Sequence, residues 1–386
     1  MSERPPAGAA GRPRAGASVA LDYTAAAGHA PGVGRYVREL VRALVREPGP
    51  ALARLRLVEV GRAPRPMAGA PLGLEGPEVV RPVEHRRLRL PRRLLALGAR
   101  LGVGPHRNLD GGCDLFHHAA PGPLAGWLPS GARVRTAAVA ELPALGGDAA
   151  EAFGEEARAA AGLLVFSEAA AIALSRDHGV DASRIHRVPV GTDHWERDLP
   201  EGLPRREPRD VLVLGSIRRS REPLAALRAF EALGEGAGSA RLLFVGRPGD
   251  AAGELRAALR ASPAAGRVLW IEAPEEARMP GAVAGSSVLL HLAHREATPV
   301  TPLEAARHGL GVVASPLPAF QEALGEHARY VDARDPAAVA SALRDALEES
   351  ADDAARARMR RVAAPYTWQA CARAHLDAWE TILGRP

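Results

Sequence analysis

Lysine is absent from the 386-residue chain and asparagine occurs once, at Asn108, so all 50 basic residues are arginines. Arginine's high pKa accounts for much of the isoelectric point of about 9.9, and the formal charge is only +5. Nucleic-acid binding is therefore not implied. Loss of Lys and Asn alongside abundant Ala, Gly, Pro and Arg is what a GC-rich coding sequence produces. Cysteine is nearly missing too. Cys113 and Cys371 stand far apart with no Cys/His spacing, which excludes a disulfide framework and a zinc site and suits a reducing cytoplasm. No apolar run approaches the roughly 18 residues of a membrane span. Residues 1–16 lack the apolar core of a secretion signal and read as a disordered leader.

What remains is an ordinary globular composition, 47% hydrophobic and 25% charged, which excludes wholesale disorder. At roughly 150 residues per domain the length suits two domains. Ser18 to Asp22 is a short apolar run, followed by a Gly/Ala/His/Pro stretch and then GVGRYVRELVRALV from Gly32. There Val33, Tyr36, Val37, Leu40, Val41, Leu44 and Val45 recur at three and four, the period of an amphipathic helix. Further runs at Leu55 to Val60, Asp114 to His118, Arg133 to Leu142 and Gly162 to Ser167 read as parallel strands. A Pro-rich charged stretch, 198–210, reads as a linker. Beyond it the alternation restarts with Val211 to Ser216, Arg241 to Gly246, Arg267 to Glu272, Ser287 to Leu292, Gly311 to Ser315 and Ala328 to Asp332. The expected fold is α/β: a Rossmann-like domain over 17–197, a second, doubly wound one over 211–365, and a last amphipathic helix within 366–386.

Ligands of open α/β sheets sit beyond the carboxyl ends of the strands, where helix N-termini offer unpaired N–H groups. Four constellations fall there. Gly32 and Gly34 precede a helix and allow close backbone approach to a phosphate or sugar; a plain tight turn is the other reading. Gly215 ends a strand and is followed by Arg218, Arg219 and Arg221, either a diphosphate clamp or a solvated basic loop. Glu296 and Glu304 stand seven residues apart. If Pro302 begins a helix, Glu304 lies in its first turns with Leu303 beside it, and Glu296 stays in the preceding loop. Both carboxylates then face a cleft, or else they are a helix-start acid and a surface acid. The fourth, Pro189 to Asp193, reads as a hinge turn.

The collinear order of these pieces, from GVGRYVRELVRAL through VFSEAAAIALSRDHG and VPVGTD to PLEAARHGLGVVAS, resembles the retaining family 4 (group 1) glycosyltransferases of GT-B fold. The resemblance covers about Ser18 to Leu383 and implies a nucleotide-sugar bound mainly to the C-terminal domain, with the final helix crossing back to the N-terminal one. It assigns Gly32 and Gly34 to the glycine loop, Glu304 to the donor ribose and Glu296 to the transferred sugar. The family's diphosphate pair, Arg-Lys, falls on Ser220 and Arg221, with Arg218 and Arg219 as substitutes. Relatives' Gly-Phe-Gly after the first glutamate reads Ala297-Thr298-Pro299 here. Their His-Asp pair falls on Ala140 and Glu141, or on Ala138 and Val139, so the histidine is lost; His117 or His118 is either its substitute or a structural residue. Base contacts are expected near Gly246 to Pro248 and Trp270 to Glu272.

The implied activity is sugar transfer from a nucleotide-diphosphate sugar, GDP- or UDP-linked, to a glycan or lipid-linked acceptor in bacterial envelope or glycoconjugate synthesis. It needs no tightly bound cofactor and no metal. The rival expectation is a degenerate GT-B scaffold that binds nucleotide, glycan or a protein partner without turnover; a GT-B epimerase is a third. His85 to Gly102 mixes arginines Arg86 to Arg100 with leucines, reading either as a solvated Arg-rich helix or as a peripheral contact with an anionic membrane on the cytoplasmic side.

Overall fold

The computed structural model describes residues 16–27, 32–48, 51–61, 83–101, 103–119, 128, 132–143, 146–198, 210–234, 238–272, 275 and 278–384. The expected leader, apart from Gly16, and linker residues 199–209 lie outside them, as do the side chains of Arg92 and Arg100.

Two sheets organise the chain. The first has seven strands: β1 (Ala17–Asp22), β2 (Leu52–Val60), β3 (Val83–Leu88), β4 (Leu115–His118), β5 (Val134–Val139), β6 (Gly162–Val165) and β7 (Ile185–Arg187), in the order β3-β2-β1-β4-β5-β6-β7. The second has six: β8 (Val211–Leu214), β9 (Leu242–Val245), β10 (Val268–Ile271), β11 (Val288–His291), β12 (Gly311–Ala314) and β13 (Arg329–Tyr330), in the order β10-β9-β8-β11-β12-β13. The pairings of β8 with β9 and β11, of β9 with β10 and of β12 with its neighbours are parallel. These are two Rossmann-like domains, as the alternating pattern predicts. Sheets covered by helices on both faces need strands that are apolar throughout. Leu242–Val245 and, up to its terminal His291, Val288–His291 meet that demand, every residue being buried. Phe230 of the Pro223–Leu233 helix and Leu343 of the Pro336–Glu349 helix pack fully buried onto this sheet, each contributing about 1.5–3 kcal/mol.

The Arg-rich segment differs from expectation. Its start is not helix: His85 to Leu88 belong to the edge strand β3, and only Arg92–Arg100 is helical. An edge strand has few buried faces to fill, so charge suffices to hold it. Glu84 accepts from Arg54 and Arg56, at 2.8 and 2.7 Å, and the buried Glu59 of β2 faces His85 at 3.2 Å and Arg87 at 2.9 Å.

The described residues pack into two compact units, one drawn from 16–119, 128–136 and 375–384, the other from 137–374. In the first, residues from the end of the Trp368–Ile382 helix complete the core: the Tyr36 hydroxyl lies 2.7 Å from His375 Nε2, and the rings of His375 and Trp379 meet His117 edge-on. His117 Nδ1 bonds the Thr136 hydroxyl at 2.9 Å. Burial first, then the neighbouring His375 and His118, holds the His117 imidazole well below the usual histidine range. His117 and His118 are both fully buried, His117 in the core that His375 and Trp379 complete.

Candidate active site

β8 and β11 are neighbours whose onward connections run to opposite sides of the second sheet, the switch point at which such sheets bind ligands. The turns after these two strands carry Gly215 to Arg221 and Leu292 to Pro299. Two glycines shape the first turn. A Cβ on Gly246 would lie 1.9 Å from the Gly215 carbonyl oxygen, and one on Gly215, whose φ is 124°, would lie 2.1 Å from Arg221 Nη1. The missing side chains let the ends of β8 and β9 touch and leave room for the Arg221 guanidinium, which donates to the Leu214 carbonyl at 3.2 Å.

Arg221 Nη2 meets Glu296 Oε1 at 2.8 Å, and the other Glu296 oxygen is held by His291 Nε2 at 3.1 Å. Burial pushes the Glu296 carboxyl up, but His291 and Arg221 outweigh it and leave the group below the ordinary carboxylate range. The acid is thus held ionised between two donors. Beside it, Glu222 is the one non-glycine residue with positive φ among the described residues, at 47°, a conformation costing about 1–3 kcal/mol. It precedes Pro223 at the helix start and pairs with His294, whose N–H donates to the Ser220 carbonyl at 3.0 Å. The 219–222 turn is therefore bound to the 291–296 loop by two acid–base pairs and a backbone hydrogen bond.

The other two arginines do not join this cluster. The Arg219 side chain pairs with Glu254 and the Arg219 backbone N–H donates to Asp250 Oδ1 at 2.8 Å, while Arg218 is exposed and its side chain makes no hydrogen bond or ion pair among the described residues.

The helix Val300–Arg307 starts two residues before Pro302 and carries Leu303 and Glu304. Leu303 is fully buried, with its N–H bonded to the Pro299 carbonyl at 3.1 Å. Glu304 is 2% exposed, and its Oε1 lies 3.2 Å from His194 Nε2. His194 Nδ1 accepts from the Trp368 indole N–H at 3.2 Å. The Trp368 ring lies over Gly191, where a Cβ would come within 2.3 Å of it, and Asp193 accepts the Trp368 N–H at 2.8 Å, capping the last helix. Arg307 sits one turn beyond Glu304. Its guanidinium donates to Thr192 Oγ1 at 3.0 Å, to Glu196 at 2.9 Å and to the carbonyls of Ala363 and Tyr366 at 2.8 and 3.0 Å.

The loop after Glu296 is also tied down. Ser167 Oγ donates to the Ala297 carbonyl and Thr298 Oγ1 to the Ala140 carbonyl, each at 2.7 Å. Near the expected base contacts, Trp270 Nε1 donates to the Gly246 carbonyl at 3.0 Å and Arg256 lies 4.8 Å over the Trp270 ring. Gly32 and Gly34 belong to the other compact unit. Gly32, with φ 67°, stands at the start of the Val33–Arg46 helix that follows β1, and Gly34 is buried within it. Among the described residues, no group of three or more His, Cys, Asp or Glu is placed to hold a metal ion.

The structure thus brings Gly215, Arg221 and Glu296 together and sets Glu304 on a separate relay with His194. Sequence reasoning missed His291, His294, Glu222, His194 and Arg307. The two histidines around Glu296 were visible as an unusual density of imidazoles after an apolar strand; His194 carried no signal.

Residues 208–349 match the family model of glycosyl transferases group 1. No curated protein matches the chain in sequence. Among solved structures, it is similar to sucrose-phosphate synthase (tll1590) from Thermosynechococcus elongatus, with 17% identity and a TM-score of 0.69 over 95% of this chain and 99% of that one. It is also similar to WaaG, a glycosyltransferase involved in lipopolysaccharide biosynthesis (14%, TM-score 0.64, 93% and 98% covered). A third is Anabaena Alr3699/HepE in complex with UDP and glucose (14%, TM-score 0.64, 95% and 97% covered). These likenesses show the GT-B fold.

Proposed function

We propose, from the match of residues 208–349 to the glycosyl transferases group 1 model, that the chain is a retaining glycosyltransferase of that family using a nucleotide-diphosphate sugar. One observation carries the reading: Arg221 and Glu296, from turns after adjacent strands, meet at the switch point of the second sheet. Arg221 takes the donor diphosphate and stabilises it as the bond to the anomeric carbon breaks, with the N-terminus of the Pro223–Leu233 helix adding its dipole. Arginine charge here does the work that a divalent cation does elsewhere. Glu296 addresses the transferred sugar and Glu304 the ribose, while Gly32 and Gly34 open the acceptor side of a domain spanning 17–197. The donor is a UDP- or GDP-sugar, a reading supported by the UDP and glucose in the Alr3699/HepE complex. The acceptor is a glycan or lipid-linked hydroxyl of envelope or glycoconjugate synthesis.

The test is calorimetry with UDP, GDP, dTDP and ADP and their sugar conjugates on the wild type, Arg221→Ala and Glu304→Ala. Selective binding lost in both variants, together with donor hydrolysis by the wild type, supports the proposal. Absence of binding by every nucleotide overturns it.

A second reading, a GT-B scaffold that binds without turnover, is favoured by the loop after Glu296. Ala297 and Thr298 are both bonded to other parts of the unit, and Thr298 reaches the Ala140 carbonyl, one of the positions where the family's histidine falls. Binding without donor hydrolysis or transfer would select it.

The surface around the Arg92–Arg100 helix supports peripheral membrane contact as part of the proposal. Leu94, Leu97, Leu101 and Val103 are all at least half exposed next to the exposed Arg86, Arg89 and Arg93, the combination an anionic bilayer surface accommodates. No helix of the described residues is long and apolar enough to cross a membrane.

A further inference from the structure

We propose that His194 is a positioning residue that aims the Glu304 carboxylate at the donor ribose. The inference rests on the reading of Glu304 as the ribose contact. An indole N–H can only donate, so the Trp368 bond at 3.2 Å requires a lone pair on His194 Nδ1. The proton of the neutral ring is then on Nε2, which points at Glu304 Oε1 from 3.2 Å. Trp368 thereby fixes the tautomer, and the tautomer fixes one edge of the carboxylate.

The support behind this relay is rigid. His194 and Glu304 side chains are 3% and 2% exposed, and the His194 ring is packed against Trp195 with centroids 4.7 Å apart. Trp368 is set by the Asp193 cap and seated over Gly191, so the segment that carries His194 also places the donor to it. Arg307 binds Thr192 and Glu196 on either side of His194, from the same helix that carries Glu304. A carboxylate held on one edge presents a fixed geometry to a diol, whereas an unheld one pays rotamer entropy for each contact.

The readout is the preference for ribose over deoxyribose. Affinities of UDP and GDP and of their 2′-deoxy counterparts are measured by calorimetry on the wild type, His194→Leu, His194→Gln and Trp368→Phe. Wild type is expected to favour the ribonucleotide by about tenfold, the worth of one charge-assisted hydrogen bond. His194→Leu removes the donor, and the preference should fall below about twofold with 2′-deoxy affinity unchanged. His194→Gln offers both a donor and an acceptor and should restore most of the preference. Trp368→Phe, which removes the N–H that sets the tautomer and keeps an aromatic ring at that position, should lower it by about threefold and serves if His194→Leu does not fold. A purely structural role would lower the melting temperature and leave the ratio intact. A wild-type preference retained in His194→Leu or, where that variant does not fold, in Trp368→Phe overturns this proposal alone. A wild type that binds nucleotide without any preference overturns the ribose reading of Glu304 and this proposal with it.

Discussion

Arg221 and Glu296 neutralise one another across 2.8 Å at the switch point of the second sheet. The side chain read as the diphosphate contact is thus already occupied by an anion of the protein. A diphosphate arriving there competes with Glu296 for the same guanidinium.

Glu296→Gln keeps the shape and removes the charge, so nucleoside diphosphate affinity is expected to rise several-fold while transfer is lost. Arg221→Ala should weaken the same binding by about tenfold or more, since a charge-assisted bond to phosphate is worth about 1.5–3 kcal/mol. Calorimetry on both variants and on the double mutant checks the pair; weaker diphosphate binding by Glu296→Gln would show that the acid assists and does not compete.

Gly246→Ala drives a Cβ to 1.9 Å from the Gly215 carbonyl oxygen, which neither strand end can yield without moving the Arg221 turn. Destabilisation of about 3 kcal/mol or more is expected. Denaturant melts of the variant measure it, and a wild-type midpoint would disprove the close approach.

His308 is buried just beyond the Val300–Arg307 helix, and burial depresses its pKa to about 4. The unfolded chain takes up this proton first, near pH 6.5. Stability from this group is therefore complete above about pH 6.5 and declines towards pH 4, by at most about 3 kcal/mol. Melting temperature against pH should fall over that window and fall less in His308→Phe; parallel curves for the two proteins would refute the assignment.

Thr298→Val deletes the hydroxyl that reaches the Ala140 carbonyl and leaves the volume nearly unchanged. If the loop places Glu296, donor turnover drops about tenfold with nucleotide affinity unaltered. Steady-state kinetics with the donor separate the two; a change confined to affinity would argue for a loop that merely shapes the nucleotide pocket.

Leu94→Ser with Leu97→Ser should reduce partition onto vesicles of anionic lipid several-fold and leave partition onto neutral vesicles low and unchanged. Flotation at two salt concentrations checks this, since the arginine contribution is screened and the leucine contribution is not.

Much of the architecture was legible because parallel strands buried on both faces must be apolar throughout. Leu242–Val245, Gly311–Ala314 and, up to its terminal histidine, Val288–His291 announce themselves in this way. β3 did not, because Val83–Leu88 is held at the sheet edge by Glu59 and by Arg54 and Arg56, partners from β2. Gly215, Arg221 and Glu296 were readable as candidates since each sits at a strand end. Their mutual pairing was not, and neither was the His194 relay: both depend on which turns the sheet order makes neighbours. Nothing near His194 in the sequence points to Trp368 or Glu304.

Residues made early in this chain depend on residues made 339 positions later. Tyr36 and His117 close their cluster with His375 and Trp379, and residues 375–384 belong to the same compact unit as the described residues of 16–119. During translation, when the emerging polypeptide ordinarily folds domain by domain, the first unit has to wait with an unfinished apolar face until residues 375 onward leave the ribosome. A nascent chain stalled or cut short before that point exposes the surroundings of His117 and becomes a client for chaperones, however complete the intervening sheet already is.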